Sequence, residues 1–283
     1  MNIDIKQAKD ILIKHYKEQL KKLIDNNFST ANINFLKVKF KHSFDCYYIG
    51  KEILKKDKEL KNKSNTFKEK VEISFLLHDI GRFFELTNEL DSQSHGIYGA
   101  NLLENKENFN DKLILIAIRH HDEADILLDD DEDFSQLNEN DKKQSIEILK
   151  VLKDADKISN LYLFKEENTV YTRKDKRYGF SKEYFEGIKN QHLIDKKYKN
   201  TIFDSIAYYI IWFYELFYEG SKKFVVENKL IDHLVNMYEF FIKDIEKIEL
   251  NYNSKEEVYK KKEEMQKNLD IIKSMLREQK IIK

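Results

Sequence analysis

The sequence predicts an all-α protein, and two observations support this prediction. The chain of 283 residues has no proline and only seven glycines. Proline and glycine form most turns of β-proteins, so a long chain that nearly lacks them is expected to be mostly helical. The second observation is periodicity. Between residues 3 and 24, apolar side chains recur at steps of three and four, which is the pattern of an amphipathic helix.

The same reasoning predicts the helices that follow. A second helix begins near Asn34, and a third covers residues 67–86 with Gly81 near its C-terminal end. Ser94 is predicted to cap a fourth helix over residues 95–103. Apolar patterning predicts further helices over residues 111–121, 145–163, 201–218, 230–245 and 256–279.

These helices fall into four predicted segments. Residues 1–33 form an N-terminal helix that packs on the body, and residues 34–165 form the core. Residues 166–250 supply C-terminal helices that complete the same domain, and residues 251–283 form a charged C-terminal helix. Apolar residues share one face of that last helix: Met265, Leu269, Ile272 and Leu276. We therefore expect it to dock on the body or on a second subunit, which would make a homodimer.

Composition limits the partners and the compartment. The net charge is −1 and the pI is about 6.7, so no overall field favours binding to long nucleic acids. The single cysteine, Cys46, suits a reducing compartment. The most apolar run, residues 206–218, carries Glu215 and is too short to span a bilayer. The N-terminus has no signal-peptide pattern. We expect a cytoplasmic protein with no membrane partner.

Two segments stand out by charge. Residues 122–141 contain ten acidic residues and no lysine or arginine, and residues 173–199 contain nine basic residues against four acidic ones. Such runs are usually solvated loops. The functional alternative is that the basic segment meets a phosphate-bearing substrate and the acidic one repels long polyanions.

Polar side chains interrupt several apolar helices. In FLLHDIGRF, residues 75–83, His78 and Asp79 stand side by side within an apolar run. A buried imidazole and a buried carboxylate cost free energy unless a hydrogen bond, an ion pair or a metal compensates them. A later apolar helix contains Asp154 and Asp156. Five of the eight histidines lie within one part of the chain: His42, His78, His95, His120 and His121.

A metal explains these residues together better than separate contacts do. Each one alone could be a hydrogen-bonded core histidine or a helix-capping aspartate. One divalent cation, or a pair, would compensate all of them, because imidazole and carboxylate are the ligands that such ions prefer. His78 and Asp79 diverge by about 100° around a helix. They converge only if the ion lies between them or if Asp79 bridges two ions.

The order of these residues resembles the H…HD…D pattern of the HD superfamily of metal-dependent phosphohydrolases. His42, the pair His78-Asp79, and Asp156 take the four places, and HDIGR and ADKISNL are close to the family's wording. The resemblance runs from about residue 40 to residue 163, and the later helices resemble those of a bacterial HD-domain group. It implies an HD-domain helical bundle with additional C-terminal helices, in which the predicted core segment is the HD domain.

Two more histidines between the HD pair and the last aspartate are typical of dinuclear members. His95 and His121 take those places, as in the HD-type dinucleoside tetraphosphatases and the HD-GYP cyclic-dinucleotide phosphodiesterases. The resemblance therefore implies one or two divalent ions, of Fe, Mn, Zn, Ni or Co, with Asp79 bridging. The implied ligands of the first ion are His42, His78, Asp79 and Asp156. Those of the second are Asp79, His95 and His121.

His120 is a further candidate ligand, since HD-GYP enzymes use a double histidine. Those enzymes also carry an upstream carboxylate and a GYP signature. This chain has Val38 and Lys39 at the first place and DEADILL at the second, which disfavours hydrolysis of cyclic-di-GMP.

The resemblance implies hydrolysis of a phosphate ester or phosphoanhydride in a small phosphorylated, nucleotide-like substrate by a metal-activated hydroxide. Asp79 or Asp156 is expected to position the water. Arg82 is expected to contact the phosphate, because a guanidinium binds it in a bidentate manner. The alternative for Arg82 is an ion pair with Glu85.

Arg119 and Lys157 are weaker candidates for phosphate contacts, since helical phase points both away from the ligands. Two other functions are compatible with the sequence. Some dinuclear HD proteins are mixed-valent diiron oxygenases, and an HD module could also sense a nucleotide without turning it over.

Overall fold

The structure, a computed structural model, describes residues 3–87, 89–90, 92–123, 125–126, 128, 130–167, 179–244 and 255–283. Within those ranges the chain forms twelve α-helices, three short 3₁₀ helices and no β-strand. The predicted all-α fold is confirmed. None of the helices in these ranges combines the length and the apolar character needed to cross a bilayer.

The helices follow one another in chain order. The first six are α1 (Ile5–Asp25), α2 (Thr30–Lys56), α3 (Asn65–Leu77), α4 (His95–Lys106), α5 (Lys112–Arg119) and α6 (Glu132–Ser135). The other six are α7 (Glu139–Glu167), α8 (Lys182–Lys189), α9 (Ile202–Ile211), α10 (Glu219–Glu227), α11 (Leu230–Asp244) and α12 (Lys255–Glu278). The 3₁₀ helices are Leu60–Asn62, Ile80–Thr87 and Lys196–Tyr198.

Side-chain caps decide where several helices begin. The side chain of Ser94 accepts a hydrogen bond from the Ile97 backbone, so the predicted cap of α4 is confirmed. Ser29 caps α2 in the same way through the backbone of Asn32, and α2 therefore starts before the predicted residue near 34. Asp111 accepts hydrogen bonds from backbone N–H groups at the start of α5. These caps satisfy N–H groups that have no partner inside the helix.

The predicted continuous helix over residues 67–86 is wrong. The α-helix α3 ends at Leu77, His78 is its C-terminal cap, and a 3₁₀ helix follows from Ile80. Gly81 gives the physical reason, because a Cβ atom at this position would lie 2.1 Å from the backbone oxygen of His95. The backbone after the HD pair therefore packs directly against α4 and leaves the line of α3.

The predicted helix over residues 201–218 is also interrupted. It stops at Ile211, and tighter backbone bonds from Tyr214 to Ile211 and from Glu215 to Trp212 turn the chain before α10 begins. These bonds join residues three apart, as in a 3₁₀ turn, rather than the four of an α-helix.

The described chain divides into two compact units, Met1–Asn160 and Leu161–Lys283. In the first unit, α2 packs on α3 and α4 packs on α5, while α1 packs on α3 and on the 3₁₀ helix that follows it. The four predicted segments, with boundaries after residues 33, 165 and 250, stay a prediction.

In the second unit, α9 packs on α8 and α11, and α12 packs on α11 and α8. The apolar face predicted for α12 is fully buried, at Met265, Leu269, Ile272 and Leu276. That face is therefore covered within the unit. Homodimer formation through these helices stays a prediction.

The two charged segments contain helices. The acidic segment 122–141 includes α6 and the start of α7, and its Asp131 accepts hydrogen bonds from Arg119 and His120 at the end of α5. The basic segment 173–199 includes α8, and its residues 173–178 lie outside the described part of the chain. A role in binding phosphate or repelling polyanions stays a prediction.

Candidate metal centre

Five parts of the first unit bring the predicted ligands together. His42 lies within α2, the pair His78-Asp79 follows α3, His95 opens α4, His121 follows α5, and Asp156 lies within α7. Five of these residues are buried, with no more than 6% of the surface exposed: His42, His78, Asp79, His95 and His121. The side chain of Asp156 is 25% exposed, so it is the most solvent-accessible of the six.

A glycine lets two of these parts approach closely. A Cβ atom at Gly96 would lie 2.7 Å from the backbone oxygen of Arg119 and 2.8 Å from that of Ile118. The first turn of α4 therefore packs directly on the end of α5. This contact places His95 beside His121.

One group of side chains surrounds the gap between the two carboxylates. His42 Nε2 lies 2.9 Å from Asp156 Oδ1, and His78 Nε2 lies 3.6 Å from the same oxygen. Asp79 Oδ2 faces both rings, at 3.7 Å from His42 Nε2 and 3.8 Å from His78 Nε2. Two imidazoles and two carboxylates thus converge here.

A second group surrounds the other oxygen of Asp79. Asp79 Oδ1 lies 3.2 Å from His95 Nε2 and 3.5 Å from His121 Nε2. The two imidazole nitrogens lie 3.1 Å from each other. Asp79 therefore directs its two oxygens at two different pairs of histidines.

Backbone carbonyls fix the tautomers of two rings. His78 Nδ1 lies 3.0 Å from the oxygen of Phe75, and His121 Nδ1 lies 2.7 Å from the oxygen of Ile118. A carbonyl oxygen only accepts hydrogen bonds, so Nδ1 carries the proton in both rings. Each neutral ring then presents the lone pair of Nε2 to the site.

Side chains contact Nδ1 of the other two rings, those of His95 and His42. His95 Nδ1 lies 3.1 Å from Asp122 Oδ2 and pairs with this carboxylate. His42 Nδ1 lies 3.2 Å from Ser159 Oγ. The Ser159 hydroxyl donates to the Asp156 carbonyl at 2.9 Å, so its oxygen is left to accept from His42. With Nδ1 engaged by these outer contacts, Nε2 of all four rings faces the site and is the nitrogen that would bind a metal.

The charge states favour a cation. Burial lowers the pKa of His42 and of His121, which keeps both rings neutral. Burial opposes ionisation of Asp79 and Asp156, but nearby cationic and hydrogen-bonding groups hold the pKa of both carboxyls well below the usual range. The carboxylates are therefore charged. For His78, burial lowers the pKa and the Asp79 carboxylate raises it, with a net rise.

The arrangement fits a divalent metal. His78 Nε2 is buried and has no hydrogen-bond partner among the described residues. The facing lone pairs of His95 and His121 repel each other unless a cation or proton lies near them. Two groups of residues could each hold an ion, because within each group the donor atoms all lie within 4.8 Å of one another. The first group is His42, His78 and Asp156, and the second is His78, Asp79 and His121. Imidazole nitrogen and carboxylate oxygen suit Zn, Fe, Mn, Co and Ni.

Comparison with known families agrees with this geometry. Residues 40–161 match the model of the family described as HD domain. This segment is an HD domain. The resemblance seen in the sequence is confirmed, and all six converging residues lie inside the matched range. Comparison with curated proteins and with solved structures gave no match.

The family gives a coarse function. HD domains form a superfamily of metal-dependent phosphohydrolases, are generally hydrolases and bind divalent metals. The His and Asp clusters of this HD domain can hold such a metal.

Two cationic side chains flank the central carboxylate of the HD domain. Lys39 Nζ lies 3.2 Å from Asp79 Oδ2, and Arg82 Nε lies 3.6 Å from Asp79 Oδ1. Arg82 also forms the ion pair with Glu85, at 2.5 Å. The sequence pattern did not identify Lys39. Its position three residues before His42 places it on the same face of α2, which is the signal that could have identified it.

Two predicted residues have partners outside the converging group, and a third stays untested. His120 lies 2.8 Å from Glu123 and 2.7 Å from Asp131, away from the converging Nε2 atoms. Arg119 pairs with Asp131 at 2.9 Å and with a second acidic residue at 3.2 Å. Lys157 follows Asp156 in α7, and its contact with phosphate stays a prediction.

The HD domain also has supporting residues that the sequence argument missed. Asn160 donates to Asp156 Oδ1 at 3.0 Å. Lys153 is buried and donates to the backbone oxygens of His121, at 3.1 Å, and Glu123, at 2.5 Å. Burial lowers the pKa of Lys153 to about 8. Both residues lie one turn from Asp156 on α7, so helical spacing was the available signal.

Proposed function

We propose that the HD domain is the catalytic centre of a dinuclear phosphohydrolase. It hydrolyses a phosphate ester or phosphoanhydride of a small, nucleotide-like substrate. One observation carries this proposal: the two oxygens of Asp79 are directed at two separate pairs of imidazole nitrogens. A carboxylate in this position is suited to bridge two cations.

The proposal assigns the ligands to two cation positions. The first ion would be held by His42, His78, Asp156 and Asp79 Oδ2, and the second by His95, His121 and Asp79 Oδ1. The second set offers fewer ligand atoms from the protein. When bound, divalent ions supply a hydroxide nucleophile near neutral pH and offset negative charge on the phosphoryl oxygens.

We assign the positioning of the nucleophilic water to Asp156 rather than to Asp79. Asp79 is buried, and each of its oxygens already faces two imidazoles. Asp156 is the more exposed of the two carboxylates, and Asn160 fixes its orientation through Oδ1. A partly exposed, ionised carboxylate can hold a water by accepting its proton in a hydrogen bond.

Lys39 and Arg82 are the proposed phosphate contacts. They lie next to different oxygens of the Asp79 carboxylate, and their side chains are 19% and 31% exposed. Each is therefore close to the cation positions and reachable from solvent. A phosphoryl group carries the negative charge that both side chains attract. Arg119 has no place in this proposal, because its guanidinium is already bonded to Asp131 and Asp133.

Metal analysis and a phosphate-release assay test the proposal. The purified protein is expected to hold close to two divalent ions per chain and to release phosphate from members of a panel of nucleotides and simple phosphate esters. The assay uses Mn²⁺ in air-free buffer. Asp79→Asn should remove both metal binding and phosphate release. The control Asp10→Asn makes the same carboxylate-to-amide change on α1 and should keep both.

Three results would contradict the proposal. Nucleotide binding without any turnover would favour a sensing module. Bound iron with an oxygen-dependent paramagnetic signal, and no phosphate release, would favour an oxygenase. Full hydrolytic activity in metal-free Asp79→Asn protein would remove the basis of the assignment.

A further inference from the structure

We infer that Asp122 is a positioning residue that controls the second cation position through His95. The inference rests on the proposed function, in which His95, His121 and Asp79 Oδ1 form that position. Asp122 is not a ligand in this assignment. It holds the outer nitrogen of His95, so that the inner nitrogen points at Asp79.

The contact between Asp122 and His95 differs from the other outer contacts. Asp122 Oδ2 lies 3.1 Å from His95 Nδ1, and the two side chains are 20% and 6% exposed. Among the described residues, the outer partners of the other three rings are neutral oxygens: those of Phe75, Ile118 and Ser159. A carboxylate partner fixes the tautomer and makes the imidazole a stronger donor to a metal.

His95 depends on this contact because of its place in the fold. It is the first residue of α4. His78 and His121 bond to carbonyls three residues earlier in their own chain segments, which hold them locally. His95 Nδ1 instead faces the carboxylate of Asp122, 3.1 Å away in the turn that follows α5. Its orientation is therefore set by the packing of that turn against α4.

The turn is packed closely enough to do this. A Cβ atom at Gly96 would lie 3.1 Å from Asp122 Oδ1 and 2.7 Å from the Arg119 oxygen, so the turn lies directly on the first turn of α4. The N-terminus of a helix carries partial positive charge, which favours a carboxylate here.

Lys153 also holds the turn. Its ammonium donates to the backbone oxygens of His121 and Glu123, which flank Asp122 in the chain. These bonds fix the backbone on both sides of the positioning carboxylate. Lys153 therefore offers a second, independent way to disturb the same position.

The effect of Asp122 should be selective. The first cation position has its own supports, since Ser159 holds His42 and Asn160 holds Asp156. Loss of the Asp122 carboxylate frees the ring of His95 and leaves these supports in place. The second position should weaken, and the first should not.

Manganese binding to the full-length protein tests the inference without an activity assay. Titration calorimetry of metal-free protein with Mn²⁺ gives the two affinities, and electron paramagnetic resonance separates coupled pairs of ions from isolated ones. In Asp122→Ala, the second affinity should fall about 10–100-fold while the first is unchanged. The coupled signal should give way to that of isolated Mn²⁺ at matched concentrations.

Three further variants sharpen the test. Asp122→Asn should recover part of the second affinity, because its amide oxygen can still accept from His95 Nδ1. Lys153→Met should weaken the second position in the same direction. Glu123→Ala is the matched control, since its carboxylate bonds His120 and not a proposed ligand, and it should bind as wild type does.

The outcomes separate this inference from the proposed function. Wild-type protein that binds two ions, with Asp122→Ala unchanged or with both affinities reduced equally, would overturn the inference alone. An asparagine variant no better than the alanine variant would also overturn it. Wild-type protein that binds one ion or none would overturn both the dinuclear assignment and the inference. Circular dichroism confirms that each variant is folded.

Discussion

His42 Nε2 and Asp156 Oδ1 lie 2.9 Å apart, although 114 positions separate them in the chain. This contact joins α2 to α7 near the two ends of the HD domain. The candidate metal centre therefore links two distant parts of the domain, in addition to supplying metal ligands. Anything that changes the charge balance at this contact should change the stability of the fold.

Removal of metal is expected to lower the stability of the protein. Four imidazole Nε2 atoms and two charged carboxylates converge in a mostly buried space, and a divalent cation would offset the repulsion between the carboxylates. An ion that binds only the folded state at 100 times its Kd stabilises that state by about 2.7 kcal/mol. Thermal unfolding with and without a chelator, followed by addition of Mn²⁺, measures the effect. An unchanged midpoint in wild-type protein would contradict a folded-state metal site.

Lys39→Met is expected to raise KM for the substrate about 10–150-fold, because one charged hydrogen bond to phosphate contributes on the order of 1.5–3 kcal/mol. The same change should not weaken Mn²⁺ binding, since it removes an ammonium that competes with the ion for Asp79 Oδ2. Steady-state kinetics and metal titration give both values.

Lys41→Met is the matched control for Lys39→Met. Lys41 lies on the same helix, is 51% exposed and pairs with Asp45 at 2.6 Å. KM should stay within about twofold of wild type, as expected for an exposed ion pair. Equal increases in KM for both lysine variants would indicate a general charge effect instead of a contact at Asp79.

The buried ammonium of Lys153 predicts a dependence of stability on pH. Burial lowers its pKa to about 8 from the ordinary 10.5, so between these values the unfolded chain binds more protons than the folded one. The free energy of unfolding of wild type should therefore rise relative to Lys153→Met as pH rises from 8 to 10.5. The gain is up to about 3 kcal/mol. Urea unfolding of both proteins across this range measures the difference, and parallel curves would exclude the assigned burial effect.

Gly81→Ala is expected to destabilise the HD domain by roughly 1–3 kcal/mol. The added Cβ would lie 2.1 Å from the backbone oxygen of His95, so α4 must move away from the HD pair. Gly99→Ala is a graded control, because its Cβ would meet the side chain of Ile80 at 3.2 Å, a milder contact. Chemical denaturation of both variants gives the order. A larger loss at Gly99 would show that α4 is not held through Gly81.

Metal affinity of Gly81→Ala adds a second measurement to that comparison. Movement of α4 displaces His95, so the second cation position should weaken more in Gly81→Ala than in Gly99→Ala.

The sequence by itself identified the helical class and the ligand candidates. The helical class could be predicted because it follows from local backbone geometry. The lack of proline and the spacing of apolar residues by three and four both indicate that geometry directly. The H…HD…D order and the two intervening histidines located six residues that the fold brings together. The residue type alone decides whether a side chain can bind a metal, so ligand candidates can be named before their neighbours in the fold are known.

The tertiary structure decided how those residues act. Packing between distant segments produces the break after Leu77 and directs the two oxygens of Asp79 at two groups of histidines. It also produces the contacts of Lys39, Asp122 and Ser159. Helical periodicity reports which face of a helix a side chain occupies, but not which element lies opposite. The direction of each donor atom depends on that opposite element, so only the folded chain determines it.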